Sequence, residues 1–170
     1  HRAGAVVVGE DLGTVEPGVR EALAERGILS YKVLYFEDDE PAGWPVSAMA
    51  TVTTHDLPTV AGLWSGSDAA DQAEATGTAT AAEVRASQAE LLERVTRDGV
   101  PASATVAEAV DAAYTQLGRA PSLLVSVALE DAVLDERRPN VPGTTAEQRP
   151  NWSLPLPVPV EDLPGHEPAE

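Results

Sequence analysis

Cysteine is absent, so disulfide bridges and thiolate metal sites are absent too. That suits a reducing compartment. Cations are scarce: 11 Lys and Arg stand against 28 Asp and Glu, a formal net charge of -17. Phosphate neutralisation needs clustered Lys and Arg, so the composition argues against nucleic acid and against an anionic membrane as partners. Acidity on this scale also keeps a protein soluble. No apolar run approaches the roughly 20 residues of a bilayer-spanning helix, and no signal-peptide pattern opens the chain. A cytoplasmic protein is the expectation. No G-x-x-x-x-G-K-[ST] loop is present, since Gly9 and Gly13 give only G-x-x-x-G. The three histidines (His1, His55, His166) show no metal-ligand spacing. A metal site is not expected.

The 170 residues that are present suffice for one domain with a core. The first residue is His rather than Met, and His1-Arg2-Ala3-Gly4 leads straight into an apolar run. This reads as a piece of a longer chain. Ala5–Gly9 has the signature of a short buried strand closed by glycine. Residues 14–26 follow as a helix, with Pro17 in its first turn and Gly27 at its end. Ser30–Glu37 is a second strand rich in aromatic and β-branched residues. Asp38–Pro45 is a loop, and Val46–Asp56 a third strand that turns polar at Thr53-Thr54-His55-Asp56. One or two helical turns are expected over Pro58–Trp64, then surface loop or irregular helix over Ser65–Thr80.

Two capping boxes are legible, Thr80-x-x-Glu83 and Thr105-x-x-Glu108. The first opens a helix reaching Asp98, with Val84, Gln88, Leu91, Leu92 and Val95 on one face. The second opens a helix ended by Gly118, with Val106, Val110, Ala113, Tyr114 and Leu117 inward. Ser122–Asp131 begins as a fourth buried strand and becomes a short helix over Leu129–Leu134. From Asp135 the chain is proline-rich loop, wrapped along a surface or disordered. Apolar strands alternating with helices predict an α/β fold with a parallel sheet.

Parallel strands bring their C-terminal ends to one face, where α/β proteins place chemistry. Glu10 follows the first strand and Asp56 the third. Two carboxylates in a cleft can divide into an acid and an ionised stabiliser, the arrangement that cleaves glycosidic bonds. The plainer reading is capping: Asp11 or Glu10 caps the next helix, and Asp56 the turn before Pro58. It fits Asp11 and Asp56 well but Glu10 poorly, because Glu is a weak N-cap. His55 suits a substrate hydroxyl, or simply a structural hydrogen bond. Trp44, Trp64 and Trp152 suit sugar faces, or lids over a core.

Three stretches carry more. "VVGEDLGTVEPGVREALAERGILSYKVLYFE", "ATVTTHDLPTVAGLW" and "PNVPGTTAEQRPNW" resemble, in order, the C-terminal part of the bacterial 4-α-glucanotransferases (amylomaltases, glycoside hydrolase family 77). The resemblance runs from about Ala5 to Leu163. It implies the C-terminal portion of a (β/α)8 TIM barrel over residues 1–135, with a Pro-rich tail over 136–170 packed on it. The implied activity is retaining transfer of an α-1,4-glucan segment to the 4-hydroxyl of an acceptor glucose or maltooligosaccharide, without cofactor. By resemblance Glu10 matches the general acid/base, Asp56 the carboxylate that grips sugar hydroxyls at the cleavage point, and His55 a neighbouring substrate contact. Asn140, Pro142 and Gly143 match a loop beside the bound glucan.

The family's nucleophile lies in an R-I-D-H type motif that this sequence lacks, and Ser153 stands where the family often has arginine. The chain alone is therefore expected to be inactive. Its expected partners are the glucan, the N-terminal part of the same enzyme and, through exposed barrel edges, a second copy. The competing readings are a non-catalytic glucan-binding or structural domain, and a hydrolytic amylase or debranching enzyme.

Overall fold

The computed structural model describes residues 3–165. His1 and His166 lie outside them. Three parallel strands form one sheet in the order β1 (Ser30–Val33), β2 (Ala48–Thr51), β3 (Leu124–Val125). A parallel bridge between Val8 and Leu29 sets the first apolar segment beside β1. The chain thus adds parallel segments one after another, which is barrel-like progression.

Helices alternate with these strands along the chain. They are α1 (Val19–Glu25), α2 (Val60–Ser65), α3 (Ser67–Thr76), α4 (Ala81–Ser87), α5 (Ala89–Val95), α6 (Val106–Leu117) and α7 (Leu129–Ala132). Both capping boxes form: Thr80 and Thr105 each accept the N3 amide while Glu83 and Glu108 reach back to the cap amide. The α6 stripe buries Ala109, Val110, Ala113 and Leu117 at helical spacing. Of these, Val110, Ala113 and Leu117 pack with Val33, Leu34, Tyr35, Ala50, Val52 and the α2 residues Val60, Ala61 and Leu63 into one core.

Several sequence expectations are corrected. The segment over Ala5–Gly9 is a single bridge, not a buried strand, and Val6 and Val7 are exposed. The second strand stops at Val33, because Phe36 folds back to donate to the Val33 carbonyl, although Leu34 and Tyr35 still bond to the β2 line. The third strand is shortened to Ala48–Thr51, since Thr51 and Thr53 spend their hydroxyls on nearby carbonyls and turn the chain. Residues 67–76, expected as surface loop or irregular helix, are a regular helix. The helix expected to run to Asp98 is broken at Gln88, whose amide reaches Asp68 at 2.6 Å. The fourth strand has two residues, both exposed.

The missing burial has one geometric cause. Val6 and Val7 lie on one margin of the sheet and Leu123, Leu124, Val125 and Val127 on the other, and all are exposed. Among the described residues β3 presents an unpaired, apolar edge, the kind of surface that recruits a further strand.

Two interior features are testable. Within α2, a Cβ on Gly62 would overlap the Glu136 carbonyl oxygen and press on Thr59 Oγ1 at 3.1 Å. Because the closest atom is backbone, Gly62→Ala is expected to cost about 1–3 kcal/mol in urea denaturation. Asp131 is buried and accepts the Val60 amide at 2.7 Å and the Tyr114 hydroxyl at 2.8 Å. Desolvation outweighs those bonds and pushes its carboxyl up to about 6. Its native form therefore holds a proton that the unfolded chain has lost between about pH 4 and 6, so its contribution to stability is lost as pH rises through that window. Asp131→Asn is expected to flatten this slope, by roughly 3 kcal/mol at most between pH 4 and 7, read from denaturation midpoints of the two proteins across pH.

Candidate active site

Side chains alternate across the sheet, so Tyr31, Thr51 and Thr53 turn away from the helices. With His55, Ser126 and Leu156 they line an open cleft of about 330 Å3 at the C-terminal end of the strands. Of the candidate residues, His55 lines it.

Asp11 is not a helix cap. Gly18 precedes α1 and no side chain caps it. Asp11 is buried and accepts the Ser30 hydroxyl at 2.5 Å, the Tyr31 amide at 2.8 Å and Arg20 Nε at 3.1 Å. Burial by itself raises its carboxyl, but the Ser30, Tyr31 and Arg20 hydrogen bonds outweigh this and hold it below the usual range. It pins the end of the first segment to β1. Glu10, one residue earlier, is exposed and has no side-chain hydrogen bond among the described residues. It lies near Tyr31, whose phenol is raised by burial and then by the Glu10 charge.

Asp56 is not a cap either, for Thr59 caps α2 by accepting the Gly62 amide. The Asp56 carboxylate is held through one oxygen, Oδ1, which accepts Asn140 Nδ2 at 2.7 Å and lies 3.4 Å from His55 Nε2. Oδ2 has no hydrogen-bond partner among the described residues, and the side chain is 43% exposed. The His55 carbonyl accepts the Asn140 amide at 3.1 Å. His55 itself is exposed and meets the Trp152 ring at a centroid distance of 4.9 Å. Trp152 holds a left-handed backbone, φ 60°, and is 65% exposed. Such backbone strain in a non-glycine residue gathers at functional sites. Pro142 flanks Asp56 on the far side of the loop, and Gly143 turns that loop at φ 81°.

The structure thus brings His55, Asp56 and Asn140 into one hydrogen-bonded group. Glu10 stands apart, just past the first parallel segment and near Tyr31. Val8 pairs with Leu29 and Tyr31 with Met49, so Glu10 is level with Tyr31 and Met49 along the strands, and Asp56 lies further on. Among the described residues no cluster of three or more His, Asp or Glu could hold a metal.

The sequence reading missed the support beneath this group. Arg138 is buried and forks onto Asp68 of α3, with Nε to Oδ1 at 2.7 Å and Nη2 to Oδ2 at 2.6 Å. Arg149, also buried, bonds Asp71 at 2.8 Å and the Arg138 carbonyl at 2.7 Å. Asp68 and Asp71 are one helical turn apart and share a face. That spacing was the available signal, hidden by the small, polar composition of α3.

Comparison with known proteins adds the family. The model for glycoside hydrolase family 77, described as 4-alpha-glucanotransferase, matches residues 1–160. The 4-alpha-glucanotransferases of Mycobacterium bovis and Mycobacterium tuberculosis are each 48% identical over 188 aligned positions, covering 96% of this chain and 26% of their own. The crystal structure of amylomaltase from Corynebacterium glutamicum superposes with a TM-score of 0.84 at 35% identity, over 98% of this chain and 28% of that one. Amylomaltase from Streptococcus agalactiae, in complex with acarbose, shares the fold with a TM-score of 0.59 at 19% identity, over 92% of this chain and 28% of that one. The chain spans about a quarter of the length of the curated relatives it matches.

Asn140→Ala removes the donor to Asp56 Oδ1. With that carboxylate part-exposed, the loss is expected to be roughly 1 kcal/mol in urea denaturation, with α-helical circular dichroism unchanged.

Proposed function

This chain belongs to the 4-α-glucanotransferase family, and from that premise we propose that it carries the acid/base side of a retaining glucan-transfer site. The α/β class and the succession of parallel segments are those of a portion of a (β/α)8 barrel. The observation that carries the proposal is an Asp56 held by one oxygen only, beyond the C-terminal end of β2, with a Glu10 that has no side-chain partner among the described residues just past the first parallel segment.

In this reading Glu10 protonates the leaving glycosidic oxygen as the C1–O bond breaks and a carboxylate nucleophile bonds C1. Glu10 then takes the proton of the acceptor 4-hydroxyl as the new C1–O bond forms and the nucleophile leaves. Asp56, through its open Oδ2, accepts hydroxyls of the sugar at the cleavage point and favours its oxocarbenium-like shape. His55 adds a contact to the same sugar, and the Asn140-Val141-Pro142-Gly143 turn borders the glucan. A retaining enzyme needs its two carboxyl groups about 5–5.5 Å apart, and the R-I-D-H motif that would supply the nucleophile is not in this sequence.

The N-terminal part of the same enzyme is therefore the proposed supplier of the nucleophile. It would also pair the apolar margins at Val6–Val7 and Leu123–Val127. Self-association is the alternative cover in its absence. The proposal treats residues 1–135 as barrel and 136–170 as a tail laid on it, in a cytoplasmic enzyme that uses no cofactor. Among the described residues no helix is long and apolar enough to cross a membrane.

The test is transfer from maltotriose, read as glucose plus longer oligomers. The chain alone is expected to give none, and the chain joined to its upstream sequence to give both. In the joined protein Glu10→Gln is expected to lower the rate by about 10²–10⁴-fold, the range of a lost general acid/base. Transfer that survives Glu10→Gln would sink the assignment. Sugar binding that survives it in a joined protein with no transfer would favour a non-catalytic glucan-binding domain.

A further inference from the structure

Arg138 is placed to do more than hold a loop. Its guanidinium is 4% exposed, and each of its nitrogens has an acceptor. Nε and Nη2 fork onto Asp68, Nη2 also reaches Gln72 Oε1 at 2.7 Å, and Nη1 donates to the main-chain carbonyl of Asp56 at 3.0 Å. Two residues on, Asn140 takes the Asp56 carboxylate from the other side at 2.7 Å. One loop therefore grips Asp56 at both its main chain and its side chain. Two fixed points set the direction in which the remaining oxygen, Oδ2, points.

We propose that Arg138, anchored on Asp68, is a positioning residue for Asp56. This rests on the glucan-transfer reading of Asp56. A buried ion pair contributes little stability beyond what packed apolar residues would give in its place. What a forked guanidinium supplies is direction, because its donors are rigid and coplanar. Here two of those directions are spent on α3 and the third on the Asp56 carbonyl. The helix thereby becomes the frame from which the carboxylate is aimed. Gln88 Nε2 completes the acceptor side of Asp68 at 2.6 Å, so the anchor is itself held from the break between α4 and α5.

A lysine at 138 keeps the charge and the ion pair but cannot fork. Arg138→Lys is therefore the primary variant, and Asp68→Asn loosens the same anchor from the helix side if the lysine protein does not fold. On this chain the readout is amide exchange at Asn140, whose N–H donates to His55. Exchange is expected to rise at least tenfold, while the core amides of Leu34 and Leu63 keep their protection. Unchanged exchange at Asn140 would overturn the proposal.

In the joined, active protein, kcat is expected to fall about 10–100-fold, the scale of an ångström-sized misplacement, with KM moving much less, at a temperature where the variant is fully folded. Thr105→Ala, which removes the N-cap of α6, controls for lost stability and is expected to lower Tm with kcat unchanged. An Arg138→Lys protein with lowered Tm but wild-type kcat would reduce Arg138 to a structural role and overturn the proposal, leaving the reading of Asp56 standing. If Asp56→Asn itself left kcat unchanged, the glucan-transfer reading would fall instead, while the exchange result would still judge the clamp.

Discussion

Desolvating the Asp68 carboxylate and the Arg138 guanidinium costs several kcal/mol for each ion, and only a paired, fully bonded geometry offsets this. That requirement organises the C-terminal end of the sheet. To satisfy Arg138, the loop after Asp135 must lie along α3, and the turn after β2 must present the Asp56 carbonyl. Arg149 repeats the demand one helical turn along, on Asp71, and closes it by donating to the Arg138 carbonyl. A proline-rich segment with little regular structure is thus fixed by two buried cations rather than by a ladder of its own.

The same logic separates the neighbouring acids. Asp11 receives three donors and is consumed in tying the first segment to β1. Glu10 receives none among the described residues. Asp56 lies between these extremes, with one oxygen held and one open. Carboxylates that are fully satisfied are structural, and those left with an open face are available for a ligand. This explains why an apolar segment can end in two adjacent acids without conflict: one anchors the chain and thereby presents the other.

The family match and the exposed margins describe one fact from two sides. The chain aligns with about a quarter of its curated relatives, and its sheet has apolar residues on both outer segments that its own helices do not cover. The helix-covered face, by contrast, has a continuous core from Leu34 to Leu117. The portion can therefore be well packed on one side while its cleft remains open on the other.

Local chemistry was enough to read much of this. Capping boxes at Thr80 and Thr105, the α6 stripe and the parallel order of strands follow from periodicity and from hydrogen-bond needs that neighbours in the chain can meet. The motifs around Glu10, His55, Asp56 and Asn140 marked the candidate site for the same reason: each is a short, contiguous signal. What only folding decided was whatever joins residues far apart. The assignment of Asp11 to β1, the open oxygen of Asp56 and the helix at residues 67–76 all depend on partners about 20 to 84 positions away. No local pattern records such a partner, because a buried charge is satisfied by geometry and not by sequence spacing.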